Sequence, residues 1–161
     1  MILIALRVLI NIMLDFTYYE NKIFHFLKPY REKHSFVDDW YRQKVIPGKR
    51  CSERYIFSRH IESNLAAVGI AKSTREEKKI SLFYVDPRFQ DLELDCHLMD
   101  RMVVWLETFH PVVRMTDFDK VYFKDYIEMS EWRLTSIQCF GKDKKTCEYL
   151  YNEPKSLSMI L

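Results

Sequence analysis

Near the middle of this chain the hydrophobic period changes, and that change limits the fold more than any other local feature. Three runs rich in β-branched and aromatic residues, Arg54 to His60, Leu65 to Lys72 and Lys79 to Val85, are separated by the polar turns Glu62-Ser63-Asn64 and Ser73 to Lys78. Short runs joined by tight turns read as consecutive antiparallel strands. After Pro87 the apolar residues recur at Leu94, Leu98, Met102, Trp105 and Phe109, the spacing of one face of a helix of about four turns.

The flanks complete an ordered alternation. Ile2 to Leu9 reads as a buried strand, and Phe16 to about Lys33 as a helix that Pro29 kinks or ends. A second helical piece over Phe36 to Val45 meets the stop signal Pro47-Gly48. Beyond the long helix, Val112 to Met115 is a short strand, and Asp119 to Trp132 a helix with Tyr122, Tyr126 and Met129 on one stripe. Arg133 to Phe140 and Thr146 to Tyr151 form a closing hairpin around Gly141-Lys142-Asp143. The order is β-α-α-β-β-β-α-β-α-β-β, a mixed α/β (α+β) fold. The 161 residues fit a single domain spanning 1–161.

The first fourteen residues are apolar, but Arg7 interrupts them, no small-residue cleavage site follows, and the run is too short to span a bilayer. A buried strand is the expectation, with no membrane partner. Four cysteines, Cys51, Cys96, Cys139 and Cys147, lack both CxxC spacing and the density of a secreted scaffold. They read as reduced packing thiols in a cytoplasmic protein. No zinc or other metal site is expected, because the His and Cys spacings fit neither finger nor ribbon.

The stretch Lys79-Ile80-Ser81-Leu82-Phe83-Tyr84-Val85-Asp86-Pro87-Arg88-Phe89-Gln90 resembles the fourth strand and following turn of the GNAT N-acetyltransferase superfamily, whose members read there as a strand ending in Val-x-Pro-x-[Tyr/Phe]-[Arg/Gln]. Ala67-Val68-Gly69-Ile70-Ala71 resembles the preceding strand, and Trp105-Leu106 the end of the central helix. Glu131-Trp132-Arg133-Leu134 is similar to the family's Gly-Phe-x-Leu joint, with Glu131 at the usual glycine. The resemblance implies a mostly antiparallel sheet of about six or seven strands with about four helices on its two faces. It also implies acetyl-CoA as cofactor.

In that family a [Arg/Gln]-x-x-Gly-x-[Gly/Ala] loop holds the pyrophosphate, because glycines let backbone N–H groups at a helix start approach the phosphates. The whole chain has three glycines, and none falls here. The matching positions read Gln90-Asp91-Leu92-Glu93-Leu94-Asp95, preceded by Phe83, Tyr84 and Val85 on the strand. A carboxylate about 6 Å from a phosphate oxygen costs on the order of 1–3 kcal/mol. With Glu93 and Asp95 at the small-residue positions, Asp86, Asp91 and Asp100 adding to the field, and side chains in place of glycine, the penalty reaches about 4–6 kcal/mol, roughly three to four decades in affinity. Weak or absent cofactor binding follows. Without an anion to hold, the same acids read as ordinary stabilisers of a helix start.

Acetyl transfer also needs an acid for the departing thiolate, a role the resemblance gives to a tyrosine. Tyr122 and Tyr126 are the candidates, although their spacing is equally that of core aromatics. No carboxylate lies on the fourth strand to act as base, and Glu76 and Glu77 in the preceding turn read as solvated charges.

Net charge is only +2, but residues 1–80 carry 15 Lys and Arg against 9 acids and residues 81–161 carry 10 against 14. Arg42, Lys44, Lys49, Arg50, Arg54 and Arg59, interleaved with Tyr41, Tyr55 and Phe57, form a combination able to grip phosphates and stack bases. No nucleic-acid motif accompanies it, and a solvated loop and strand edge is the plainer reading. The sequence leads to a GNAT-like protein with an impaired cofactor loop that serves as a protein-interaction or regulatory module, with an active acyltransferase bearing an altered loop as the alternative.

Overall fold

The computed structural model describes residues 18–92, 94–117, 119–140 and 146–154, with the backbone alone at 91, 92, 95, 140 and 146. The expected first strand at 2–9 and the hairpin turn at 141–143 lie outside the described residues. The chain divides into two compact units, Met1–Cys51 and Ser52–Leu161.

The described part of the first unit is helical. Helix α1 covers residues 18–26, and a turn at Leu27 separates it from α2 (Lys28–Lys33), where Pro29 sits in the first turn. A proline there loses no helical hydrogen bond, because its missing N–H would have been unpaired. Helix α3 (Val37–Trp40) runs through a π turn (Tyr41–Val45) into α4 (Ile46–Arg50). The Pro47-Gly48 pair therefore does not stop the helix, contrary to expectation. Pro47 falls in the first turn of α4, directly after the wider π turn, where proline is again tolerated. Ile23, Leu27, Val37, Tyr41 and Val45 are buried in this unit. The Arg31 guanidinium lies 3.5 Å from the Phe24 ring centre and bonds Asp38 at 2.5 and 2.8 Å, joining α1, α2 and α3.

The second unit holds one six-stranded sheet in the order β1-β2-β3-β4-β6-β5. Its strands are β1 (Arg54–Ile61), β2 (Asn64–Ser73), β3 (Lys78–Val85), β4 (Val112–Thr116), β5 (Leu134–Phe140) and β6 (Thr146–Tyr151). Among the described strands only the β3–β4 contact is parallel. A 3-10 helix (Pro87–Leu92) leads from β3 into α5 (Leu94–Leu106), and α6 (Lys120–Met129) follows β4.

Helix α5 buries Leu94, Leu98, Met99, Met102, Val103 and Leu106 in the core. It packs against the sheet at Gly69, where an added Cβ would meet Met102 Sδ at 2.4 Å. The sheet is small-sided there so that the helix can lie close. Val68, Ile70, Leu82 and Tyr84, on the alternate positions of β2 and β3, are buried as well.

Two expected stripes need correction. Phe109 is 66% exposed because α5 ends at Leu106, before the fifth position of the stripe. On α6 the buried residue is Phe123, whereas Met129 is 84% exposed, and Tyr122 and Tyr126 are half-buried on either side of Phe123.

Both long helices end in the same way. Glu107 and Glu131 have φ of 54° and 51°, the left-handed region that favours glycine. The Thr108 N–H bonds Val103 O and the Trp132 N–H bonds Ile127 O, the six-to-one bond of a Schellman ending. Glu131 thus adopts a backbone that favours glycine in the joint Glu131-Trp132-Arg133-Leu134. The Trp132 ring is then held by an Nε1–H bond to Phe109 O at 2.7 Å.

The cysteine expectation is also corrected. Cys139 faces Cys147 across the β5–β6 ladder and the two are joined as a disulfide, in which Cys51 and Cys96 take no part. Side chains at directly opposed positions of an antiparallel pair are close enough to meet, a pairing that sequence spacing alone does not reveal.

Candidate functional site

Strand β3 has unequal neighbours. It pairs with β2 from Lys78 to Val85, but with β4 only at Lys79↔Val112 and Ile80↔Val113. Beyond Ile80 the strands part, and the second half of β3 forms one lip of a wedge. Phe83 is buried on the α5 side, opposite Gly69 in register, with its ring 5.2 Å from Phe123 and 6.1 Å from Tyr122. Tyr84 takes the other face, where burial, then the nearby Asp86 carboxylate and Tyr122, push its hydroxyl pKa up. Val85 is part of the core.

The turn after β3 is built by Asp86. Its carboxylate accepts the Arg88 backbone N–H at 2.9 Å and the Arg88 guanidinium at 2.6 to 3.2 Å. The Phe89 N–H bonds Asp86 O, which winds the chain into the 3-10 helix. Hydrogen bonding by Arg88 holds the Asp86 carboxyl below the usual carboxylate range. Asp86 is therefore a paired charge whose field on the loop is reduced by its partner, a pairing the sequence reading missed. The Asp-x-Arg spacing was visible, but nothing in it marks the guanidinium as folding back.

Gln90 Nε2 donates to the Tyr122 hydroxyl at 2.5 Å, tying the first position of the loop to α6. One turn further along α6, the Tyr126 hydroxyl donates to Asp100 Oδ1 on α5. Both tyrosines also pack: Tyr122 against Phe83, and Tyr126 with its ring 6.1 Å from Trp132. Packing and a hydrogen-bonding role are thus combined in each residue. The structure brings Phe83, Gln90 and Tyr122 together, and it places Tyr126 with Asp100. Leu94 begins α5 and is buried in the core. Asp91 and Leu92 end the 3-10 helix and Asp95 lies in the first turn of α5, all three known by backbone only, and Glu93 is outside the described residues.

Away from the wedge, Ser81 accepts a hydrogen bond from Arg54 at 3.1 Å. Glu77 is not simply solvated: it pairs with Lys72 at 2.7 Å and lies 3.9 Å from Lys79. Burial alone would raise its pKa, and the Lys72 bond with the Lys79 charge outweighs that and lowers it. The basic constellation is divided, with Arg42, Lys44, Lys49 and Arg50 in the first unit and Arg54 and Arg59 in the second. Lys49 and Arg50 lie 3.7 and 3.9 Å from the buried Glu20 carboxylate, and Arg42 covers the Phe24 ring at 4.7 Å. Among the described residues no group of three or more His, Cys, Asp or Glu side chains could hold a metal ion, and no helix is long and apolar enough to cross a membrane.

Solved GNAT acetyltransferases share this fold. The chain is similar to a GNAT-family protein from Desulfovibrio desulfuricans (TM-score 0.55, 10% identity, 74% of this chain and 79% of that one). It is similar also to the ribosomal-protein-S18-alanine N-acetyltransferase from Escherichia coli (TM-score 0.54, 13% identity, 73% and 81%). The PaiA N-acetyltransferase from Thermoplasma acidophilum, solved in complex with coenzyme A, superposes at a TM-score of 0.50 with 9% identity over 73% of this chain and 77% of that one. No protein-family model matches the sequence, and no curated protein does. The fold is that of the GNAT acetyltransferases.

Proposed function

We propose that this GNAT-fold chain binds acetyl-CoA weakly or not at all and serves as a protein-interaction or regulatory module. The observation that carries the reading is the cross-linking of the wedge by its own side chains. Gln90 is committed to Tyr122, and the Tyr126 proton is committed to the Asp100 carboxylate. A phosphate ligand would have to separate the first pair, and a tyrosine acting as acid would have to leave the second. The loop sequence, with Glu93 and Asp95 where small residues belong, adds repulsion of about 1–3 kcal/mol for each carboxylate. A protein partner is supported by the outer strand β5, an unpaired edge among the described residues, with Leu134 43% and Ile137 53% exposed. A cytoplasmic location accompanies this reading and requires the hairpin disulfide to open there, since disulfides are rare in that compartment.

Titration calorimetry with acetyl-CoA at physiological salt tests this. A dissociation constant weaker than about 100 µM is expected, less than about 5.5 kcal/mol of binding. Micromolar binding would support the second reading, an active acyl-CoA-dependent N-acetyltransferase with an altered loop. That reading draws on the Asp86–Arg88 pair, which removes one acid from the repulsive field, and on the open β3–β4 wedge.

A further inference from the structure

The Cys139–Cys147 pair lies far along the β5–β6 hairpin from its Leu134↔Tyr151 end, one register position from the last described pair, Phe140↔Thr146. Cys139 is exposed and Cys147 half-buried. Neither sulfur belongs to the hydrophobic core, whose members on this hairpin and its flank are Trp132 and Tyr151 with Tyr149 packed against them. The strands are registered independently of the sulfurs by the pairs Ser136↔Leu150, Ile137↔Tyr149 and Gln138↔Glu148. Further ties are the Thr135 hydroxyl bond to Leu150 O at 2.8 Å and the Arg133 N–H bond to the Asn152 side chain at 2.9 Å. Opening the disulfide therefore leaves in place the strand pairs that keep the two cysteines opposite each other.

We propose that Cys139 and Cys147 form a reversible thiol–disulfide couple, a redox-modification site that reacts with low-molecular-weight thiols and disulfides. Exposed disulfides are the labile ones, because thiolate attack needs access to a sulfur. The incoming thiolate attacks Sγ of Cys139, the more exposed residue of the two. The bond between the two cysteines breaks, its electron pair leaves on Cys147 Sγ, and that sulfur takes up a proton. A second small thiolate then attacks the small-molecule sulfur of the mixed disulfide. It releases Cys139, which is protonated in turn, together with one small-molecule disulfide. Two thiols are consumed, two protein thiols form, and the reverse sequence restores the link.

The test uses the full chain equilibrated in graded mixtures of reduced and oxidised glutathione, quenched with a mass-tagged maleimide and mapped by peptide mass spectrometry. Labelled thiols should rise from Cys51 and Cys96, which lie outside the disulfide, to all four. Cys139 and Cys147 should change together, with a dependence on the square of the reduced glutathione concentration, and oxidised glutathione should restore the link. Far-UV circular dichroism should stay constant throughout. The same titration on Cys51→Ser/Cys96→Ala isolates the pair, and the peptide map of the parent chain decides the matter if that variant does not fold. Labelling of both cysteines in fully oxidised buffer, or a link that survives millimolar dithiol in the folded protein, overturns the proposal. So does loss of the circular dichroism signal on reduction.

Discussion

Replacing Glu131 by glycine should make the protein more stable. A left-handed backbone costs a residue with a Cβ about 1–2 kcal/mol, and glycine gives back roughly 0.5–1 kcal/mol through its extra freedom in the unfolded chain. The backbone gain for Glu131→Gly, at φ 51°, is therefore about 0.5–1 kcal/mol. A second contribution arises because an acid at a helix C-terminus meets the negative end of the dipole, worth about 0.3–1 kcal/mol. Glu131→Ala separates the two, since alanine removes the charge but keeps the Cβ. Urea unfolding should give Gly above Ala by about 0.5–1 kcal/mol, with unchanged m-values, and Gly above the parent by about 1–2 kcal/mol. Raising the salt concentration should shrink the Ala effect and leave the Gly–Ala difference alone. If alanine stabilises as much as glycine, the left-handed strain is not what the position costs, and the account of the α6 ending fails. Glu107, at φ 54° after α5, should behave in the same way.

Gly69→Ala should destabilise by about 1–2 kcal/mol through overpacking, with the new Cβ 2.4 Å from Met102 Sδ; a neutral urea midpoint would show that Met102 swings clear at no cost. Asp86 has a folded pKa below its unfolded value of about 4, so its stabilising effect is complete above that pH and is lost as the pH falls through the lower folded value. Asp86→Asn should accordingly flatten stability below about pH 4, and an acid limb identical to the parent's would count against the Arg88 pairing. Glu93→Gly/Asp95→Gly should strengthen acetyl-CoA binding at least about tenfold, by a margin over the parent that narrows with salt; unchanged affinity in a folded variant would mean that the wedge is blocked elsewhere. Cys139→Ser/Cys147→Ser should lower stability by about 2–3 kcal/mol relative to the oxidised parent, the size expected for closing a loop whose ends are 8 residues apart, and should match the reduced parent.

Most of the frame was legible because local chemistry and packing agree there. The strands of the meander fall within a residue or two of their expected limits, and Thr146 to Tyr151 falls on them, since β-branched runs between polar turns leave few other arrangements. Reading failed where a distant partner decides. The exposure of Met129 follows from the face on which Phe123 meets Phe83 and Trp132, which a stripe of apolar letters does not fix. The end of α5 at Leu106 depends on Glu107 accepting a conformation that its side chain disfavours. At the wedge, the acidic loop was evident from the letters Gln90 to Asp95. The partners of Asp86, Gln90 and Tyr126 needed coordinates, because each is set by a turn or by the crossing of α5 and α6.

The two-pair contact between β3 and β4 has a mechanical consequence. Backbone hydrogen bonds join β1 to β2 and β2 to β3 over nearly their whole lengths, yet the halves β1-β2-β3 and β4-β6-β5 share only the register Lys79↔Val112 and Ile80↔Val113. What spans the gap is a chain of rings, Phe83 to Phe123 at 5.2 Å, Phe123 to Trp132 at 6.0 Å and Trp132 to Tyr151 at 6.5 Å. Ring contacts tolerate small rotations that a ladder of directional bonds resists. The sheet is thus two stiff plates on a greased joint, their mutual tilt restrained by one short register and by the Gln90–Tyr122 and Tyr126–Asp100 bonds instead of by a long ladder. The amides of Ile80 and Val113 should accordingly exchange with solvent sooner than those of Val68 and Ile70, deep within the first plate.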